Sequence, residues 1–142
     1  IDMTKEQKDL LLKDLCARLP YGVRVLYENE IFGVEHVSPM YEEVKLDTYE
    51  TWTIDVSDIK PYLFPLSSMN SLTDEQKKTL KVLCDWNDEE ADAQSILVLY
   101  QKHFVMKSDV IDWLHRNHFD YRGLIEKGLA IDATGLNIYK EE

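Results

Sequence analysis

The 142-residue sequence has no long apolar run, no glycine-rich loop and few cysteines. Its longest apolar run, Ile96 to Tyr100, is far shorter than the roughly 20 residues that a membrane-spanning helix needs. The five glycines are scattered, so the sequence contains neither a phosphate-binding loop nor a Gly-x-Ser-x-Gly nucleophile motif. We therefore expect no membrane association, no bound cofactor and no nucleophilic catalysis of these familiar types.

Basic residues are also scarce. The chain has 16 lysines and arginines against 27 aspartates and glutamates, which gives a formal net charge of −11. Because phosphate backbones are bound by clustered positive side chains, direct binding to nucleic acid is not expected. A charged-then-apolar signal segment is missing, as is any Asn-x-Ser/Thr site, so a cytoplasmic protein is expected. In the reducing cytoplasm, Cys16 and Cys84 are predicted to be buried, reduced thiols on the apolar faces of two helices.

The spacing of apolar residues predicts an α+β fold in a single domain, residues 1–142. An N-terminal helix is expected at 4–18, where Thr4 with Gln7 forms a capping box. Apolar residues three and four apart form its predicted buried stripe, with Asp14 mostly off it; they are Leu11, Leu12, Leu15, Cys16 and Leu19. Four short alternating segments at 22–57 are typical of a small antiparallel sheet with a barrel-like curvature.

The remaining segments predict a mainly helical C-terminal half. Two prolines mark 58–72 as a connector packed on the core, and residues 73–142 are expected to form a mainly helical lobe. Its helices are predicted at 73–86, where Thr73 and Gln76 form a capping box, at 109–118 with Ser108 as the cap, and briefly at 121–127. Residues 88–104 fit either a helix or a buried strand.

One C-terminal segment concentrates histidines and carboxylates. His115 and His118 are three residues apart, with Asp112 one helical turn earlier and Asp120 just after. Such a set could hold a divalent metal or act in general acid–base catalysis, although a His-Glu-x-x-His pattern and a dedicated fourth ligand are missing. A structural role is favoured instead: His118 and Asp120 cap the helix end, and Arg122 pairs with a nearby carboxylate.

Aromatic side chains cluster in the predicted sheet. Core packing explains most of them, and those left exposed suit a protein partner better than nucleic-acid bases because this region is acidic. The candidate partner-binding residues are Tyr41, Tyr49 and Trp52.

Five acidic residues at 85–92 form the densest patch of one charge. A solvated helix start that keeps the protein soluble is the simpler interpretation, and mimicry of a DNA backbone is the alternative. Calcium binding is not expected, because the alternating acidic ligands and central glycine of a calcium loop are missing.

Three segments carry a resemblance to a known group. They are 3–23, the KPYL…SSM motif at 60–69, and the IDWL…HFDYRGLIEKGLA motif at 111–130. Together they resemble uncharacterised small hypothetical proteins of gut Bacteroidales and their prophages, in which 24–56 and 77–107 vary. The resemblance covers about half of the chain. It implies a phage-associated or mobile-element accessory gene and brings no established activity.

These observations favour a non-catalytic protein-interaction module of phage, prophage or mobile-element origin that acts on an unidentified host protein. The variable sheet is the expected contact surface. A metal-dependent hydrolase or nuclease using His115 and His118, with Asp112 and Asp120, is the first alternative. An acidic DNA-mimic inhibitor using 85–92 is the second.

Overall fold

The computed structural model describes residues 3–47, 53–66, 68, 72–84 and 107–139. These residues have the predicted α+β fold, in which an N-terminal helix precedes a mixed sheet and two further helices come before the last two strands of that sheet. None of the helices among the described residues is long and apolar enough to cross a membrane.

Helix α1 (Lys5–Arg18) begins as the sequence predicts. The side chain of Thr4 accepts a hydrogen bond from the backbone of Gln7, and the side chain of Gln7 accepts one from the backbone of Thr4. A 3-10 turn at Leu19–Tyr21 follows, and Gly22 then takes a left-handed conformation with φ of +73°.

The buried face of α1 differs from the predicted one. It consists of residues three and four apart, and its members are Leu11, Asp14, Leu15 and Arg18, together with Leu12. Cys16 lies off this face and is exposed, so the prediction of a buried thiol there was wrong. Cys84 is buried, as predicted, and neither cysteine forms a disulfide.

The described strands form a mixed sheet that is not closed. Its order is β4-β3-β2-β1-β5-β6, with β7 also paired to β5. Strands β1 to β4 form the predicted antiparallel meander, and β1 is also antiparallel to β5. The sheet is not antiparallel throughout, because β6 and β7 both run parallel to β5. The strands are β1 (Arg24–Tyr27), β2 (Glu30–Ser38), β3 (Glu43–Leu46), β4 (Thr53–Asp55), β5 (Lys60–Pro65), β6 (Phe119–Asp120) and β7 (Ile131–Asp132).

The C-terminal half contains α2 (Asp74–Leu83) and α3 (Ser108–Arg116). Thr73 and Gln76 form the predicted capping box of α2, whereas the N-cap of α3 is Lys107 rather than Ser108. Turns occupy 124–128, where a short helix was expected. A mainly helical C-terminal half is therefore not confirmed, and residues 85–106, which include the ambiguous segment 88–104, lie outside the described residues.

Two apolar clusters hold these elements together. In the larger one, α1 packs on the sheet and on Leu124, Leu129 and Ala130. The smaller one joins α2 and α3 to β6 through Leu80, Leu114 and Phe119, among others. The histidine-bearing segment passes between the two clusters, because α3 belongs to the second and the turn after β6 belongs to the first.

Candidate functional site

His115 lies in the last turn of α3, and its ring is buried. Its Nε2 atom is 2.8 Å from the hydroxyl of Tyr121, and its ring stacks on that of Tyr21 at 6.4 Å between centroids. Burial, followed by the positive charges of Arg18 and Arg122, lowers the pKa of His115 to about 4. The imidazole is therefore neutral at pH 7, with one ring nitrogen held by a protein partner.

His118 lies beyond the end of α3, with a φ of +62°. This left-handed conformation, which histidine adopts more readily than most residues, ends the helix. The ring stacks on Tyr139 at 3.6 Å between centroids, and Nδ1 is buried without a hydrogen-bond partner in the described part of the chain. Burial and then the charge of Arg18 lower the pKa of His118 to about 4.

The two carboxylates of the candidate metal site have different surroundings. Asp112 is exposed on α3. Asp120 is buried, and its two oxygens accept hydrogen bonds from the backbone N–H groups of Leu124 at 3.0 Å and Ile125 at 2.9 Å. Asp120 thus caps the turn that follows β6. Nowhere in the described ranges do three histidine, cysteine, aspartate or glutamate side chains lie close enough to hold a metal ion.

A buried ion network lies beside the histidines. One oxygen of the Asp14 carboxylate accepts from Nε of Arg18 at 2.8 Å, and the other accepts from Nη1 of Arg122 at 2.7 Å. Arg18 also donates from Nη2 to the carbonyl of Phe119. The side chains of Asp14 and Arg18 are fully buried. Arg122 therefore pairs with a carboxylate, as the structural interpretation of this segment expects.

A cavity of about 790 Å³ opens next to this network. It is bordered by the turn after α1, the end of β5, the first turn of α2, the end of α3 and the C-terminal segment 133–139. Its walls include the aromatic rings of Tyr21, Phe64, Phe119 and Tyr139, together with Arg116 and His118.

Of the candidate partner-binding residues, Tyr41 is described, whereas Tyr49 and Trp52 lie outside the described residues, as does the acidic patch at 85–92. Tyr41 lies in the turn between β2 and β3 and is 70 % exposed, next to Met40 at 83 %. This pair is the largest run of exposed apolar surface on consecutive described residues.

Sequence patterns gave no signal for the cavity, because its walls come from five separate parts of the chain. A weak signal for the ion network does exist, since Asp14 and Arg18 are four residues apart on a helix. No protein-family model, curated protein or solved structure matches the chain.

Proposed function

We propose that the chain is a non-catalytic protein-interaction module whose contact surface includes the turn between β2 and β3. The observation that carries the proposal is the adjacent exposure of Met40 and Tyr41. Tyrosine and methionine are enriched at protein–protein interfaces, and tyrosine often contributes a large share of the binding energy. A partner that covers both side chains would remove their apolar surface from water.

The backbone contacts of this turn support the same proposal. The amide of Glu42 donates to the carbonyl of Pro39 at 3.3 Å, and the amide of Val56 donates to the carbonyl of Glu42 at 2.9 Å. The Glu42 carboxylate accepts from Nζ of Lys5 at 3.1 Å, which links the turn to the start of α1. A turn held in this way loses less conformational entropy on binding than a free loop would.

The surroundings of the histidines favour this proposal over a metal-dependent hydrolase or nuclease. A metal ligand or general base must offer a free lone pair to the metal or substrate. Among the described residues, no three histidine, cysteine, aspartate or glutamate side chains lie close enough to hold a metal ion, and both oxygens of Asp120 are held by backbone amides. Asp112 is exposed on α3.

The proposal also includes the origin of the gene. The resemblance of three segments to hypothetical proteins of gut Bacteroidales and their prophages supports a phage or mobile-element origin. That the partner is a host protein is part of the proposal. Tyr49 and Trp52 lie outside the described residues and stay candidate partner-binding residues from the sequence. A DNA-mimic inhibitor has only the sequence of 85–92 in its favour.

A photo-crosslinking amino acid in place of Tyr41 tests the contact surface directly. The matched control carries the same amino acid in place of Val82, which is 74 % exposed on α2. In lysate of a Bacteroidales host, we expect one discrete cross-linked protein at position 41 and none at 82.

Competition by unlabelled protein identifies the specific adduct. The unmodified chain should suppress it, and the double variant Met40→Ala, Tyr41→Ala should do so at least about tenfold less well, as expected for residues that each contribute over 1 kcal/mol. The same adducts at both positions, or suppression by the double variant as strong as by the unmodified chain, would rule out this surface.

A further inference from the structure

The cavity beside His118 has the size and the walls of a small-molecule site. Its volume of about 790 Å³ lies within the roughly 300–1,000 Å³ that is usual for ligand pockets. Phe64 lies 6.2 Å from Phe119 and 6.1 Å from Tyr139 between ring centroids, so these three rings form one continuous aromatic wall. Aromatic side chains that line a cavity favour a flat, aromatic ligand, because a ligand ring can stack on them or meet them edge to face.

The charge of the cavity is opposite to that of the protein. In a chain of net charge −11, the described residues that line the cavity include Arg116 and no aspartate or glutamate. The guanidinium of Arg116 lies 5.6 Å from the ring centroid of Tyr21 and forms no ion pair with the described residues. An arginine left without a carboxylate at a cavity is suited to bind one, or a phosphate, through its planar set of donors.

The imidazole of His118 offers a second donor to the same space. It is neutral at pH 7, so one ring nitrogen carries the proton. Nδ1 is buried and has no hydrogen-bond partner in the described part of the chain. A buried N–H group without a partner costs more free energy than a buried lone pair without one. The proton therefore belongs on Nε2, the nitrogen through which the ring can meet a ligand.

We propose that this cavity binds a planar aromatic compound that carries a carboxylate or a phosphate. The aromatic body packs on Phe64 and its neighbouring rings, and the anionic group accepts hydrogen bonds from Arg116 and from Nε2 of His118. The site is independent of the protein-interaction surface. The cavity lies beyond the C-terminal end of α1. The β2–β3 turn is bound to Lys5 at the N-terminal end of the same helix, and the two ends of the helix are roughly 20 Å apart.

Ligand-observed NMR and calorimetry on the full chain at pH 7.5 test the proposal. The probes are 2-naphthoate and AMP, the first carrying a carboxylate and the second a phosphate. Their neutral counterparts, 2-naphthamide and adenosine, keep the aromatic body. Cyclohexanecarboxylate and ribose 5-phosphate keep the carboxylate and the phosphate without an aromatic ring. We expect at least one of the two anionic aromatic probes to bind, and its neutral and non-aromatic counterparts to bind at least tenfold more weakly. The probe that binds identifies which anionic group the site takes.

Two variants localise the binding. Arg116→Gln removes the exposed cation and should weaken binding of the probe at least tenfold. His118→Asn removes the imidazole and should also weaken binding. Asparagine is chosen at this position because it tolerates the left-handed backbone. Lys78→Gln is the matched control, because Lys78 is exposed on α2 and does not line the cavity.

Three outcomes would overturn the proposal. They are equal binding of a neutral counterpart, an equal loss in Lys78→Gln and Arg116→Gln, and failure of both anionic aromatic probes to bind at millimolar concentration.

Discussion

Asp14 and Arg122 form an ion pair at 2.7 Å although 108 residues separate them in the chain. The pair joins the N-terminal helix to the segment that follows β6. Arg18 shares the same carboxylate and also holds the carbonyl of Phe119, the first residue of β6. The position of the histidine-bearing segment thus depends on two charged side chains of α1 that water does not reach.

Removing the central carboxylate tests how much the fold depends on this network. Asp14→Asn keeps the size of the side chain but leaves the buried guanidinium of Arg18 without its counter-charge. We expect the free energy of unfolding to fall by about 3–5 kcal/mol, the usual cost of breaking a buried ion pair. Urea unfolding at pH 7, followed by circular dichroism, measures the loss.

A surface pair provides the control for that experiment. Glu35 and Lys45 form an ion pair at 2.9 Å, but both side chains are partly open to water. Glu35→Gln should change the free energy of unfolding by no more than about 1 kcal/mol. Equal losses in Asp14→Asn and Glu35→Gln would mean that the buried network contributes no more than a surface pair.

The cap formed by Asp120 gives a second prediction. Asp120→Ala leaves the buried amides of Leu124 and Ile125 without their acceptor, and we expect a loss of about 1–3 kcal/mol in urea unfolding. Asp120→Asn keeps one carbonyl oxygen and should lose less.

The matched control for this cap is Asp132, which is exposed and accepts from the amide of Thr134 at 2.9 Å. Asp132→Ala should cost less than about 1 kcal/mol, because water can replace its oxygen. An Asp120→Ala protein as stable as Asp132→Ala would contradict the structural role of Asp120.

Local patterns explain why some of this fold was predictable. The capping boxes at Thr4 and Thr73 and the meander up to β4 depend on residues close together in the chain, and the structure confirms them. The sequence predicts a connector at 58–72, where strand β5 lies, because Pro61 and Pro65 disfavour a strand within a sheet. Strands β6 and β7 have two residues each, too few to show a periodicity.

The candidate site was harder to predict for a related reason. Its chemistry depends on pairs that are distant in sequence, such as Asp14 with Arg122 and His118 with Tyr139. The sequence places Asp14 off the leucine-rich face of α1, and its ion pairs with Arg18 and Arg122 explain its burial. The helical spacing of His115 and His118 was misleading, since His118 lies beyond the helix end.

The two buried histidines predict that acid destabilises the protein. Their ordinary pKa of 6.5 is lowered to about 4 in the folded chain. Between these values the unfolded state binds the extra protons, so the free energy of unfolding falls as the pH falls from about 6.5 towards 4. Each histidine contributes up to about 1.4 kcal/mol per pH unit to that slope.

A variant separates this effect from the titration of carboxylates in the same range. His118→Asn removes one of the two histidines, so its stability should fall less steeply between pH 6 and 4.5 than that of the unmodified chain. Urea unfolding at a series of pH values measures both slopes. Parallel slopes would show that His118 keeps an ordinary pKa in the folded protein.

Addition of metal ions tests whether the histidine segment binds them. A metal present at 100 times its dissociation constant would stabilise the fold by about 2.7 kcal/mol, which raises the Tm by several degrees in a chain of this size. Because no three potential ligand side chains lie close together among the described residues, we expect Zn²⁺ and Mn²⁺ to leave the Tm of chelator-treated protein unchanged. A rise in Tm that disappears in a His115→Gln, His118→Asn double variant would instead support the metal-dependent alternative. A rise that persists in that variant would place the bound ion on other residues, and the histidine segment would keep its structural role.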